Sequence, residues 1–213
     1  MSPRTETPPS GNAFHHRVHR PAEPDGSAIL LLHGTGGTES DLLPLGQALA
    51  PRATLLGVRG RASDEGVNRW FRRLEMARFD QDSIRDEAAA FAAFLPDLLE
   101  SQGVDPARLT VLGYSNGANF AAALMALHPG LLRRAILLRP MLVLEDLPEV
   151  DLSGTEVLAI SGQADPYGGH APALVDWLKG AGARLDSRAL PTGHGLSQAD
   201  LNIAADWLPQ GAT

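Results

Sequence analysis

The sequence predicts an α/β fold with a mostly parallel central sheet and helices on both faces. Short apolar runs, typical of strands buried on both faces, alternate along the whole chain with longer segments of helical periodicity. This alternation indicates crossover connections between parallel strands. No linker or repeat interrupts it, so we expect one domain over residues 13–213. Residues 1–12 are polar and contain three prolines, and we expect them to form a flexible tail.

Seven segments have strand patterns. Phe14, His16 and Val18 alternate with polar neighbours, which is typical of an edge strand. Continuous apolar runs predict buried strands at residues 28–32, 53–58, 109–112, 135–138 and 157–160. Residues 184–190 are more polar, so we expect them near the other edge of the sheet.

Helical patterns lie between these strands. Apolar residues spaced by three and four predict a helix from Ile84 to Leu98, and Pro96 is expected to kink it because proline lacks an N–H. Further helices are predicted at residues 119–127, 173–179 and 199–208. The connection over residues 59–81 is unusually long and rich in arginine and aromatic residues, which favours a functional loop over a disordered one.

Composition excludes several classes of protein. Lys and Arg number 18 against 25 Asp and Glu, and a net charge of −7 argues against a nucleic-acid partner. The absence of cysteine excludes disulfides, cysteine nucleophiles and thiolate metal sites. No apolar run approaches the roughly 18 residues of a membrane span, and the first residues lack the apolar core of a secretory signal. We therefore expect no membrane span and a cytoplasmic location.

The sharpest chemical signal is the segment Gly113-Tyr114-Ser115-Asn116-Gly117, which follows the strand predicted at 109–112 and precedes a helix. This context is the one that a nucleophile elbow requires, with the serine raised on a strained turn above the sheet. The glycines are expected because side chains there would collide with neighbouring backbone. A bland turn is the alternative, and the flanking strand and helix disfavour it.

A serine nucleophile needs a base, and three histidines follow Ser115 in the chain. His128 lies at the end of a predicted helix, where a structural role suits it. His194 lies between two glycines after the last strand, in a loop that can reach the sheet edge, so it is the predicted base. His170 is the second candidate, more consistent with the rim of a pocket or the start of a helix.

The acid that orients the histidine should follow a strand between Ser115 and His194. Asp165 comes shortly after the apolar strand predicted at 157–160, so it is the predicted acid. The other carboxylates lie in a predicted loop, helix or strand: Glu145, Asp146, Glu149, Asp151, Glu156, Asp176 and Asp186.

The glycine-rich loop at residues 33–37 follows the first buried strand and is a candidate oxyanion hole. The backbone N–H groups of Thr35 and Asn116 form the predicted donor pair. The loop lacks the lysine of a phosphate-binding loop, and Glu39 stands where a dinucleotide fingerprint needs glycine. The histidines near residues 15–19 have no carboxylate with them, so we expect neither a metal nor a cofactor.

These residues resemble the phospholipase/carboxylesterase family of α/β-hydrolases, which includes the acyl-protein thioesterases. The resemblance covers nearly the whole chain and is most specific at residues 31–37, 41–45 and 193–197. Residues 70–73, Trp-Phe-Arg-Arg, together with Phe79-Asp80, are similar to the small bacterial branch linked to hydroquinone and catechol resistance.

The resemblance implies an α/β-hydrolase fold without a separate lid domain. It also implies a triad of Ser115, Asp165 and His194, an oxyanion hole of Thr35 and Asn116, and a possible homodimer. Two departures stand out: Asn116 replaces the glutamine typical of the thioesterases, and residues 167–170 replace a short apolar run at the pocket rim.

The expected activity is hydrolysis of small or medium acyl esters through an acyl-enzyme. An acyl-protein thioesterase or another thioesterase remains an alternative, as does a non-catalytic ligand-binding protein of the same fold. Trp70 and Phe71 are expected to wall the acyl pocket, with His170 at its rim. Ordinary packing of a long loop is the alternative role for the two aromatic side chains.

Overall fold

A seven-stranded sheet organises the structure, a computed structural model that describes residues 14–208. The tail predicted at residues 1–12 lies outside the described residues. The strand order is β1-β3-β2-β8-β9-β10-β11, and all neighbours are parallel except β1 and β3. The sheet strands are β1 His16–His19, β2 Ala28–Leu32, β3 Thr54–Val58, β8 Leu109–Tyr114, β9 Arg134–Leu138, β10 Glu156–Gly162 and β11 Arg184–Leu190. The predicted parallel sheet with β1 and β11 at its edges is confirmed.

Five α-helices connect and cover the strands: α1 Leu43–Leu49, α2 Gln81–Gln102, α3 Asn116–Leu127, α4 Ala171–Gly180 and α5 Gln198–Trp207. The sequence pattern did not predict α1, which is only seven residues long. The helix α2 begins at the Asp80 cap, continues through Pro96 and ends at Gly103, whose φ of 63° is left-handed. No helix within the described residues is long and apolar enough to cross a membrane.

Two apolar layers lie on opposite faces of the sheet. In β2, Leu30 belongs to the layer under α2, α3 and α4, whereas Ile29 and Leu31 belong to the layer under α1 and α5. All five residues of β2 are buried, because alternate side chains enter opposite layers. This two-sided burial accounts for the continuous apolar runs from which the parallel strands were predicted.

The long connection before α2 folds into two small hairpins. Its strands are β4 Ala62–Asp64 with β5 Val67–Arg69, and β6 Arg73–Glu75 with β7 Arg78–Phe79. Glu65 and Gly66, with φ of 52° and 81°, form the tight turn of the first hairpin. Trp70 lies between the hairpins and is fully buried, stacked on Phe120 with 4.8 Å between ring centroids. The aromatic anchor fixes the hairpins against the main apolar core.

Candidate active site

The predicted site residues meet at the carboxyl edge of the parallel strands. Thr35 follows β2, Ser115 follows β8, Asp165 follows β10 and His194 follows β11. Ligands in open α/β sheets bind at this edge, because the loops that leave neighbouring strands converge there. The crossover connections therefore bring together residues that are far apart in the chain.

Ser115 occupies a strained turn between β8 and α3. Its φ of 52° and ψ of −115° are rare for a residue with a side chain, and such strain costs about 1–3 kcal/mol. The flanking glycines make the turn possible: a Cβ at Gly117 would lie 2.0 Å from the carbonyl oxygen of Leu32, and one at Gly113 would lie 2.6 Å from the nitrogen of Ala118. The turn thus holds the hydroxyl at the end of the strand.

Ser115, His194 and Asp165 form a hydrogen-bonded chain. The Oγ of Ser115 lies 3.0 Å from Nε2 of His194, and Nδ1 of His194 lies 2.8 Å from Oδ2 of Asp165. A carboxylate can only accept, so Nδ1 carries the proton and Nε2 is left to accept the serine O–H. The other oxygen of Asp165 accepts the backbone N–H of Tyr167 at 2.9 Å. This arrangement can move a proton from Ser115 to His194.

Arg139 holds the loop that carries His194. Its Nε donates to the carbonyl of Gly193 at 2.9 Å, and its Nη2 donates to the carbonyl of Gly195 at 3.0 Å. The guanidinium also pairs with both oxygens of Asp200 at 2.7 and 2.9 Å, and both side chains are completely buried. The side chain of Arg139 therefore binds the backbone on each side of His194.

Asp200 connects Arg139 to the start of α5. Its Oδ2 accepts both the N–H and the hydroxyl of Ser197, which completes a capping box. Burial raises the pKa of Asp200, but hydrogen bonds from Arg139 and Ser197 outweigh it, and the pKa is lowered overall. Sequence reasoning missed the ion pair of Arg139 and Asp200. Two features of the sequence could have indicated it: a lone arginine directly after an apolar strand, and the Ser-x-x-Asp spacing at 197–200.

The candidate oxyanion loop is held from behind by buried groups. The carbonyl of His33 accepts the indole N–H of Trp70 at 2.9 Å, and Nε2 of His33 accepts the N–H of Gly60 at 3.0 Å. Burial lowers the pKa of His33, which favours the neutral ring that this acceptor role needs. Oδ1 of Asn116 accepts the backbone N–H of Trp70 at 2.8 Å, which links the start of α3 to the long connection before α2.

Thr35 and Asn116 keep their backbone N–H groups available. Among residues 14–208, no hydrogen bond uses either N–H as a donor. Asn116 is the first residue of α3, where backbone donors have no partner inside the helix. Both residues line the same cavity as Ser115. The two donors can therefore serve a developing negative charge beside the serine.

A cavity of about 340 Å³ opens onto these residues. It is lined by Gly34, Thr35, Arg69, Arg73, Ala77, Phe79, Tyr114, Ser115, Asn116, Asn119, Arg139, Met141, Tyr167 and His194. Within the part of the chain that the structure describes, no cluster of three or more histidine or acidic residues could hold a metal ion.

The structure places the three predicted substrate-binding residues away from this cavity. Trp70 and Phe71 are fully buried in the aromatic core, because the hairpins on either side turn their rings inward. His170 is exposed at the end of a short 3₁₀ turn, and Tyr167 lies beside His194 instead, at 5.5 Å between ring centroids. The expectation that Trp70 and Phe71 wall the pocket is therefore wrong, and the apolar wall consists of Ala77, Phe79 and Met141.

Comparison with known proteins finds relatives that are similar in both sequence and structure, whereas no family model matches the chain. A protein of Bacillus subtilis named "Putative hydrolase MhqD" is 35% identical over 183 residues, which are 85% of this chain and 92% of the relative. A carboxylesterase structure from Mesorhizobium loti is 43% identical, with a TM-score of 0.92 over 97% of this chain and 98% of that one. The Bacillus cereus carboxylesterase is 31% identical, with a TM-score of 0.86 over 92% and 93%.

Proposed function

Because the chain belongs to the phospholipase/carboxylesterase family of α/β-hydrolases, we propose that it is a serine carboxylesterase that acts through an acyl-enzyme. The observation that carries this proposal is the hydrogen-bonded chain of Ser115, His194 and Asp165, with distances of 3.0 and 2.8 Å. Likeness to two carboxylesterases over nearly the whole chain supports the same activity.

In the first half of the reaction, Ser115 attacks the ester carbonyl while Nε2 of His194 takes the hydroxyl proton. The carbonyl oxygen becomes an alkoxide, which the N–H groups of Thr35 and Asn116 stabilise. Losing one such donor typically costs about 3–4 kcal/mol of transition-state stabilisation. His194 then protonates the leaving alkoxide, so the alcohol departs and Ser115 carries the acyl group.

In the second half, water attacks the acyl-enzyme and His194 acts as the base again. Asp165 keeps the proton on Nδ1 and stabilises the imidazolium that forms in each half. The side chain of Asp165 is only 2% exposed, so water competes little for its charge. No step calls for a metal or a cofactor, and we propose that the enzyme uses neither.

The cavity favours small or medium acyl groups. Its volume of about 340 Å³ lies at the lower end of ordinary ligand pockets. Phe79 and Met141 supply apolar surface beside Ser115. We propose that short and medium chains fit between these side chains, whereas long acyl chains extend into solvent.

A series of p-nitrophenyl esters from acetate to palmitate tests this proposal. We expect kcat/KM to peak at a short or medium chain and Ser115→Ala to abolish turnover while circular dichroism is unchanged. Ser187→Ala on exposed β11 is the matched control and should behave as the wild type. Turnover that survives in Ser115→Ala contradicts the proposal. Parallel thioesters of the same acyl groups separate an esterase from a thioesterase.

We also propose that residues 13–213 work as one catalytic unit, because the hairpins and helices pack on the same sheet. The net charge of −7 supports small-molecule substrates over nucleic acid. A homodimer and a cytoplasmic location remain predictions, which light scattering and cell fractionation test.

A further inference from the structure

Two arginines give the active-site cavity a net positive charge, although the chain has a net charge of −7. Arg69 ends the first hairpin, Arg73 begins the second, and both line the cavity. No aspartate or glutamate is among the lining residues, and the third arginine there, Arg139, is neutralised by Asp200. We propose that this cavity selects esters that carry an ionised carboxylate, a selection that rests on the esterase function proposed above.

Arg69 is held in place with bonding capacity left over. Its side chain is only 7% exposed, and its Nη1 donates to Oγ1 of Thr35 at 3.3 Å. Its Nε lies 3.1 Å from Oδ2 of Asp64 but makes no hydrogen bond, so this contact is electrostatic only. Among residues 14–208, Nη2 has no hydrogen-bond partner either. A charged, almost buried side chain beside the oxyanion loop therefore keeps unused donors.

Arg73 adds a second, accessible cation. Its guanidinium forms no ion pair within the described residues, whereas nearby Arg72 and Arg78 pair with Asp80 and Glu75. Burial lowers the pKa of Arg69, repulsion from the nearby charge of Arg73 lowers it further, and Asp64 partly offsets this effect. An anion bound between them would relieve this repulsion.

The balance of charge favours a carboxylate over a dianionic phosphate. Two arginines and Asp64 leave one net positive charge (two minus one) at this end of the cavity. A guanidinium binds a carboxylate with two parallel hydrogen bonds, which fixes both its position and its orientation. Because Arg69 contacts Thr35, the anionic group would lie only a short spacer away from the ester carbonyl.

Matched pairs of charged and neutral esters test this inference. On the acyl side the pair is the p-nitrophenyl monoesters of glutarate and glutaramate, and on the alcohol side it is p-acetoxybenzoate and p-acetoxybenzamide. Each pair differs by a carboxylate against an amide of the same shape. Every kcat/KM is divided by the rate of hydroxide-catalysed hydrolysis, which removes differences in intrinsic reactivity.

We expect the charged member of at least one pair to be preferred about tenfold, and Arg73→Gln to remove more than half of that preference. Arg78→Gln, in the same hairpin but away from the cavity, is the matched control and should keep the wild-type preference. A preference below about threefold in both pairs, or one that persists in Arg73→Gln, overturns the inference.

A binding measurement separates this inference from the esterase proposal. Titration calorimetry of Ser115→Ala with glutarate should show binding that is weakened at least about tenfold for glutaramate and in the added Arg73→Gln variant. Neutral esters cleaved through Ser115 without any charge preference would leave the esterase proposal standing and overturn this one. Binding of glutarate without cleavage of any ester would support the carboxylate site and contradict the esterase proposal. Equal binding of glutarate and glutaramate would overturn the carboxylate site.

Discussion

Replacing Asp200 with asparagine should loosen the loop that carries His194. Asparagine keeps the shape of the side chain but removes the charge that neutralises Arg139. Both partners are completely buried, so the guanidinium cannot turn to water for compensation. The same guanidinium also binds the carbonyls of Gly193 and Gly195, and its displacement would shift the histidine between them.

The expected loss of stability is large. Removing one partner of a buried ion pair typically costs about 3–5 kcal/mol, because the other charge is left uncompensated. This difference should also depend on pH. The pKa of Asp200 lies below its ordinary value of 3.8, so its ionisation stabilises the fold fully above that pH, and this stability is lost as pH falls through the folded-state pKa. The difference in free energy of unfolding between the wild type and Asp200→Asn should therefore become smaller at acidic pH.

Urea denaturation at neutral and acidic pH measures this difference in the free energy of unfolding. Ester kinetics report whether His194 is displaced. We expect kcat to fall about 10²-fold with a smaller change in KM, because a displaced base impairs chemistry more than binding. Asp206→Asn, on the exposed side of the same helix, is the matched control and should leave both quantities unchanged. A loss of stability below about 1 kcal/mol, or a difference that does not change with pH, would refute the reasoning.

Three further predictions concern the site and its supports. Asp165→Asn should lower kcat by about 10⁴, as the equivalent change does in serine proteases, and retained turnover would contradict its role. Gly117→Ala should abolish activity and lower the midpoint of thermal unfolding, because its Cβ would lie 2.0 Å from the carbonyl oxygen of Leu32; a normal midpoint would show that the turn tolerates a side chain. His170→Ala should leave kcat and KM for p-nitrophenyl esters unchanged, since His170 lies outside the cavity, and a changed KM would return it to the pocket rim.

The sequence predicted the positions of the sheet strands, to within two residues at most ends, because buried parallel strands leave a strong local pattern. Residues 28–32 are continuous and apolar, and β2 has the same bounds. Ser115, Asp165 and His194 were found because each lies in a loop directly after such a strand. In a parallel sheet these loops lie at the same edge, so their proximity could be predicted from the strand pattern alone. Their roles in catalysis are what the experiments above test.

What the sequence could not predict depends on contacts between distant residues or on elements too short to show periodicity. The strands of the two hairpins have two or three residues each, and α1 contains a proline and Gly46 within seven residues. Because the sequence did not predict the hairpins, it could not show that Trp70 is turned into the core. The Arg139–Asp200 pair joins residues 61 positions apart, and neither residue type predicts a completely buried partner.

Peptide mapping after reaction with a fluorophosphonate tests the central claim most directly, because only an activated serine reacts with such a probe. We expect a single adduct, on the peptide that contains Ser115, which is absent in Ser115→Ala and forms far more slowly in His194→Ala. An adduct on another residue, or labelling at the wild-type rate in His194→Ala, would contradict the account of Ser115 as a nucleophile activated by His194.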